Sequence, residues 1–391
     1  MKKRLLTVQG PIQFLAAYIA MEWYSRTYHC SLIAKTVLLI FDLLVPKDLE
    51  QDMAQVTTKL ASVQEWASIV FISSAEMSAL MNGKYSIRIK KLHKIIGESE
   101  FDEIYLSRDF CSHGSPLILN AYPDATRITY GDSLGVVGNV PVRDYFNWGM
   151  PIKEMLSKSK AFILDLINGR PKKYLFDFAV LVLPLDFSGS YLENIELLVP
   201  DKEFVVGIYK KICANLDELN DYCNNLIKDT VASNNYLVLL SNLSLSQLMS
   251  QENEIIMCKE IIRTTIKSGS KLFIKAHPRA PTEVIASIVD GLKSEYKLTI
   301  IDNDGLSKMP IELWGELIEK CTIVPIFSTS AINMKYISNK EVILPLNDRL
   351  IKKYFYNDQV DDIIMSNQSI KQSIISLESW DGKSVLWKAL K

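Results

Sequence analysis

Lys271-Leu272-Phe273-Ile274 runs directly into Lys275-Ala276-His277-Pro278-Arg279. The first four residues read as a buried strand. Pro278 fixes its own backbone and disfavours helix at His277, so the strand ends in a loop there. His277 is one of four histidines in the chain. Lys275 and Arg279 flank it, two residues away on either side. In open α/β sheets ligands bind beyond the carboxyl ends of the strands. An imidazole held between two cations at such an end suits a phosphate or another anionic leaving group. The competing reading is a strand-end histidine with solvated basic neighbours. The rest of the chain has to decide between them.

Working outward, strands alternate with helices. Before the polar stretch 229–235, strands are expected at 5–8, 36–44, 67–73, 103–106, 126–130 and 176–185. Helices are expected at 11–24, 48–65, 85–96 and 116–122, followed by one long helix at 201–227. After it the rhythm restarts, with strands at 236–240, 272–275, 298–301, 322–325 and 342–343. The helices of this half are expected at 254–268, 281–295, 310–320 and 330–338. Such alternation predicts parallel sheets with helices on both faces. The fold class is therefore α/β, with two Rossmann-like domains facing a central cleft. Residues 1–230 form the first and 236–366 the second. The tail 367–391 reads as helical and able to pack back on the first domain.

Composition narrows the function classes. Of 391 residues, 48% are hydrophobic and 23% charged, which suits a soluble protein with full cores. A formal net charge of −1 gives no reason to expect a nucleic-acid partner. The six cysteines lack CxxC or Cys/His spacing, which argues for reduced thiols in a cytoplasmic setting and against zinc. Met1-Lys2-Lys3-Arg4 before Leu5-Leu6 resembles a signal peptide, but Gln9, Pro11 and Gln13 interrupt the apolar run. No stretch of about 18 uncharged apolar residues predicts a membrane span.

Three further stretches can carry chemistry. Gly131-Asp132-Ser133-Leu134-Gly135 follows a strand, and its glycines let the backbone turn tightly. Asp132 at that tip is either a general base for a hydroxyl or a turn aspartate bonding its own backbone. Ser328, Thr329 and Ser330 follow a strand and open a helix, where free N–H groups bind phosphate or the hydroxyls cap the helix. Met309-Pro310-Ile311-Glu312 starts a helix, so Glu312 either accepts from a ribose diol or complements the helix dipole. Asp302-Asn303-Asp304 before Gly305 is better explained by turn chemistry than by a divalent metal. The chain has no GxGxxG, GxxxxGK[ST] or HExxH.

The order of these motifs resembles that of bacterial sialyltransferases with the two-domain glycosyltransferase B architecture. It is most similar to the group holding the α-2,8-polysialyltransferases and the lipooligosaccharide sialyltransferases. Val8-Gln9-Gly10-Pro11-Ile12-Gln13 and the stretch from Tyr122-Pro123 to Tyr130-Gly131-Asp132 add to the resemblance. It implies Asp132 as catalytic base, His277 with Pro278 at the leaving phosphate, and Lys275 beside them. It also implies Glu312 as the nucleotide-binding acid and Ser328, Thr329 and Ser330 as phosphate-binding hydroxyls, with Ser241 lining the same cleft. Ser133 departs from the glycine common at that position. The implied activity is inverting transfer of a nonulosonic acid from a CMP-activated donor to a glycan hydroxyl, with no cofactor and no metal. CMP-Kdo, a CDP-polyol donor, or a non-catalytic role in polysaccharide assembly remain open. The setting implied is cytoplasmic, at work on surface glycan, with peripheral membrane contact possible through the tail around Trp380 and Trp387.

Overall fold

A computed structural model describes residues 2–28, 34–41, 43, 45–82, 84–107, 114–131, 176–184, 195–228, 234–303 and 305–387. Asp132 and Ser133 lie outside these residues. In the first half β1 (Lys2–Val8), β2 (Ala34–Phe41), β3 (Ser68–Ile72), β4 (Glu103–Ser107), β5 (Thr126–Gly131), β6 (Phe178–Leu181) and β7 (Glu196–Val199) pair in parallel. Their spatial order is β3-β2-β1-β4-β5-β6-β7. The helices here are α1 (Pro11–Thr27), α2 (Lys47–Ala61), α3 (Ser74–Leu80), α4 (Tyr85–Ile96) and α5 (Ser115–Ala121). Then come α6 (Lys202–Cys213) and α7 (Asp217–Ile227). The second sheet has β8 (Asn235–Leu239), β9 (Lys271–Lys275), β10 (Lys297–Ile300) and β11 (Thr322–Pro325), all parallel in the order β10-β9-β8-β11. Its helices are α8 (Gln251–Thr265), α9 (Thr282–Asp290), α10 (Gly315–Glu319), α11 (Ser330–Ser338), α12 (Asp348–Tyr354) and α13 (Val360–Ser379).

The strands are buried on both faces, which is why they read as continuous apolar runs rather than alternating ones. Arg4 on β1 pairs with Glu103 on β4 at 2.8 Å with both side chains buried, and Lys2 adds a second contact to the same carboxylate at 2.9 Å. Helix α1 buries residues around most of its circumference, as a helix enclosed on several sides must. It lies against β1, β4, β5 and β6 and also touches α2 and α6. One apolar core runs from this face through Val205, Ile208 and Leu219 of α6 and α7 to Leu237, Phe273 and Trp314 of the second half.

Three expectations are corrected. The long helix at 201–227 is two helices. Asn215 and Leu216 donate to Ile212 and Cys213 at 3.0 Å, ending the first helix in tight i+3 bonds. Asn220 Nδ2 then donates to the Cys213 carbonyl at 2.9 Å and holds the corner. The helix at 310–320 begins as a 3₁₀ turn, Ile311–Leu313, and breaks at Trp314 before α10. The break drives Leu313 and Trp314 into the core, where both are fully buried. The tail is helical only to Ser379. Trp380 is extended and stacks on Tyr336 at 5.5 Å. Strand β12 (Val385–Trp387) then pairs antiparallel with β7, adding an edge to the first sheet. Helix α13 itself packs on α11 and α12.

Both sheets reverse their strand order, between β1 and β4 and between β8 and β11. Such switch points open a crevice at the carboxyl ends of the strands. Here both crevices border one cleft, the arrangement of the glycosyltransferase B architecture.

Candidate active site

The cleft between the sheets encloses about 430 Å³. Lys275, His277, Pro278, Glu312, Ser328, Thr329 and Ser330 all line it, although they come from three separate loops of the second half. Gly131 at the end of β5 forms part of the opposite wall, and the next residue in the chain is Asp132. Ser241 lies in an adjoining hollow of about 770 Å³ that shares His277, Ser328 and Thr329 with the cleft. Its hydroxyl donates to the Phe327 carbonyl at 2.5 Å, tying the end of β8 to the end of β11.

The turn after β9 fixes His277. Its Nδ1 accepts the Arg279 main-chain N–H at 3.1 Å. A neutral ring bonded this way carries its proton on Nε2, so it can act there as a donor. Burial first, then the charges of Arg279 and Lys275, lower its pKa from 6.5 to about 4. Lys275 is 6% exposed, and desolvation lowers its pKa to about 8, with Glu312 opposing the shift. Its ammonium is directed inward. It donates to the Ser307 carbonyl and lies 5.4 Å from the centre of the Trp314 ring.

Glu312 is buried in the 3₁₀ turn, and desolvation raises its pKa. Asn333 Nδ2 donates to its Oε1 at 3.0 Å, and Ser330 also bonds to it. Ser328 Oγ accepts the Ser330 N–H at 3.3 Å, while Thr329 at the start of α11 makes no side-chain cap. The two readings of the hydroxyl run therefore divide among its members: Ser328 and Ser330 have internal partners, and Thr329 caps nothing.

Some site residues were not evident in the sequence. Asn333 sits one helical turn after Ser330, a spacing that places both on one face toward Glu312. Lys308 lines the cleft and pairs with Asp52 of α2 across the two halves. Gln9 and Ser107, at the ends of β1 and β4, bond to each other at the first switch point. Lys275, Arg279 and Lys308 make a cation-rich wall beside the neutral His277 ring, with Glu312 as a buried acid, which favours an anionic ligand. Among the described residues no three His, Cys, Asp or Glu side chains are grouped as metal ligands. No helix among them is long and apolar enough to cross a membrane.

Two solved UDP-GlcNAc 2-epimerases share the general outline. The Neisseria meningitidis enzyme bound to UDP-GlcNAc has 9% identity and a TM-score of 0.45, covering 97% of this chain and 92% of that one. The Methanocaldococcus jannaschii enzyme, with UDP-GlcNAc and UDP, has 12% identity and a TM-score of 0.47, covering 98% and 95%. A transferase from Siraitia grosvenorii in complex with UDP has 9% identity and a TM-score of 0.34, covering 98% and 97%. Likenesses this distant carry no argument about the site. No curated protein matches the chain. The family model for alpha-2,8-polysialyltransferases matches residues 120–346, more than half of the chain and all of the cation-rich wall. The chain belongs to the alpha-2,8-polysialyltransferase family and is a glycosyltransferase of the sialyltransferase type.

Proposed function

We propose that the protein transfers a nonulosonic acid from a CMP-activated donor to a glycan hydroxyl, inverting the anomeric centre without a metal. The observation that carries this reading is the convergence of His277, Glu312 and the Ser328-Thr329-Ser330 helix start on one cleft opposite Gly131. In this reading the nucleotide lies on the second-half wall. Glu312 and Asn333 face the ribose. The leaving phosphate meets His277 Nε2–H, Thr329 and the start of α11. Lys275 acts through its field, because its ammonium is held by Ser307 and the Trp314 face.

Asp132 takes the proton of the acceptor hydroxyl as that oxygen forms its bond to the anomeric carbon. The anomeric carbon–phosphate oxygen bond breaks on the opposite face, and its electron pair leaves with CMP. CMP is a weak base, so charge stabilisation rather than full protonation is the main requirement at the leaving side. Closing the cleft over the donor would limit hydrolysis. The work belongs to surface glycan synthesis at the cytoplasmic face of a membrane.

The test is CMP release from a panel of CMP- and CDP-activated donors, with and without glycan acceptors. Release from CMP-nonulosonates, abolished by Asp132→Ala and strongly slowed by His277→Ala, supports the reading. Turnover of CDP-glycerol or CMP-Kdo alone overturns the donor assignment. Unchanged rates in both variants overturn the residue roles.

A further inference from the structure

The mechanism above leaves the first-half wall of the cleft without a role for Gln9. This side chain follows β1 at the switch point, and the residue is 4% exposed. Its Oε1 accepts from the Ser107 hydroxyl. Its Nε2 is buried and has no hydrogen-bond partner among the described residues. Leaving a buried amide donor unpaired is costly, so an occupant that pairs it is favoured.

The next residues supply a second feature of the same kind. Gly10 is the N-cap of α1 and offers no side-chain cap, and Pro11 occupies the first helical position. The 17-residue helix therefore directs its positive end at the cleft, where Ile12 and Gln13 also form the wall. Gly10 has φ +148, which L side chains rarely adopt, and an added Cβ would lie 3.2 Å from Gln13 Oε1. The helix start is thus kept bare. A buried amide donor beside a bare helix N-terminus matches a carboxylate, which accepts from N–H groups and complements the helix dipole.

We propose that Gln9 and the N-terminus of α1 form a subsite for the carboxylate of an acidic sugar. The inference rests on the transfer reading above and names the group on that reading's substrate which the first-half wall recognises. Both the donor sugar and an acidic acceptor residue carry such a carboxylate, and the subsite accepts the shared group.

The test compares wild type, Gln9→Ala and Gln9→Glu. Three binding measurements are made: CMP alone, CMP-N-acetylneuraminate, and an α-2,8-disialyl acceptor. Free N-acetylneuraminate against its methyl ester gives a fourth, independent of turnover. In Gln9→Ala, affinity for CMP stays within about twofold, showing an intact fold and nucleotide site. Affinity for one acidic sugar falls roughly 10- to 100-fold, the range for a lost bond to a charged group. A loss on the donor alone identifies the donor carboxylate, and a loss on the acceptor alone identifies the acceptor. Gln9→Glu falls at least as far, because it sets one carboxylate against another. Equal acid binding by wild type and Gln9→Glu, or no wild-type preference for the acid over its ester, overturns the subsite but not the transfer reading. Absence of CMP binding in wild type overturns the transfer reading, and the ester comparison still decides the subsite.

Discussion

Replacing His277 by Gln and by Ala separates a neutral hydrogen-bond donor from a proton-carrying acid. The ring's Nδ1 accepts the Arg279 N–H at 3.1 Å, which leaves Nε2–H toward the ligand. Burial, Arg279 and Lys275 hold its pKa at about 4 instead of 6.5. At pH 7 roughly one ring in a thousand is charged, and charging it costs about 3 kcal/mol more than in water. A Gln side chain reaches a similar point with an N–H donor, so His277→Gln retains transfer within about tenfold. His277→Ala, lacking any donor, loses on the order of 100- to 1,000-fold. The assay is CMP release as kcat/KM against pH, since that ratio reports the free protein. A neutral donor leaves the wild-type profile without a histidine limb between about pH 5 and 8. Two results refute the reasoning. One is a limb near the ordinary histidine pKa that disappears in His277→Gln. The other is a tenfold fall per pH unit above about 4, the signature of a ring that must start protonated. Stability follows the same shift. The folded pKa lies below the unfolded one, so the unfolded chain binds more protons between pH 6.5 and about 4. This contribution is present above pH 6.5 and lost as pH falls through 4, and His277→Gln removes that loss.

Lys275 acts in the alkaline range. Its folded pKa of about 8 lies below the ordinary 10.5, so its contribution to stability rises with pH across that interval. Urea unfolding from pH 8 to 9.5 shows the rise in wild type and its absence in Lys275→Met. Trp314→Ala removes a fully buried ring that supports Lys275 and meets Tyr222 at 5.9 Å between centroids, and costs about 3–5 kcal/mol by denaturant titration. Arg4→Ala strands Glu103 in the first sheet without its closest buried cation. It lowers stability by about 3–5 kcal/mol at neutral pH, and chemical denaturation checks this.

Much of the fold was legible because both halves bury their strands on two faces. That produces apolar runs separated by helix-period segments, and the strand–turn–helix rhythm follows. The elements that escaped are those whose existence depends on a distant partner. The short strand β7 is held between β6 and β12, and β12 is a three-residue strand that exists because β7 offers an edge. Helix α3 is the exception, since its capping box between Ser73 and Glu76 is a local signal carried by the sequence itself. The corner between α6 and α7 depends on Asn220 reaching back to Cys213, which no periodicity reveals.

The amino-acid sequence alone determined where each chemical group sits along the chain. Pro278 ends a strand at His277, Pro310 places Glu312 in a first turn, and three hydroxyls open α11. Local backbone rules act within a few residues, so these placements need no knowledge of the fold. The tertiary structure decided which way the groups face and what surrounds them. It turned the Lys275 ammonium onto Ser307 and Trp314, paired Glu312 with Asn333, and left the Gln9 Nε2 against the cleft with no partner among the described residues. Each outcome depends on desolvation and on partners tens of residues away, and those are set when the two sheets pack against their shared helices.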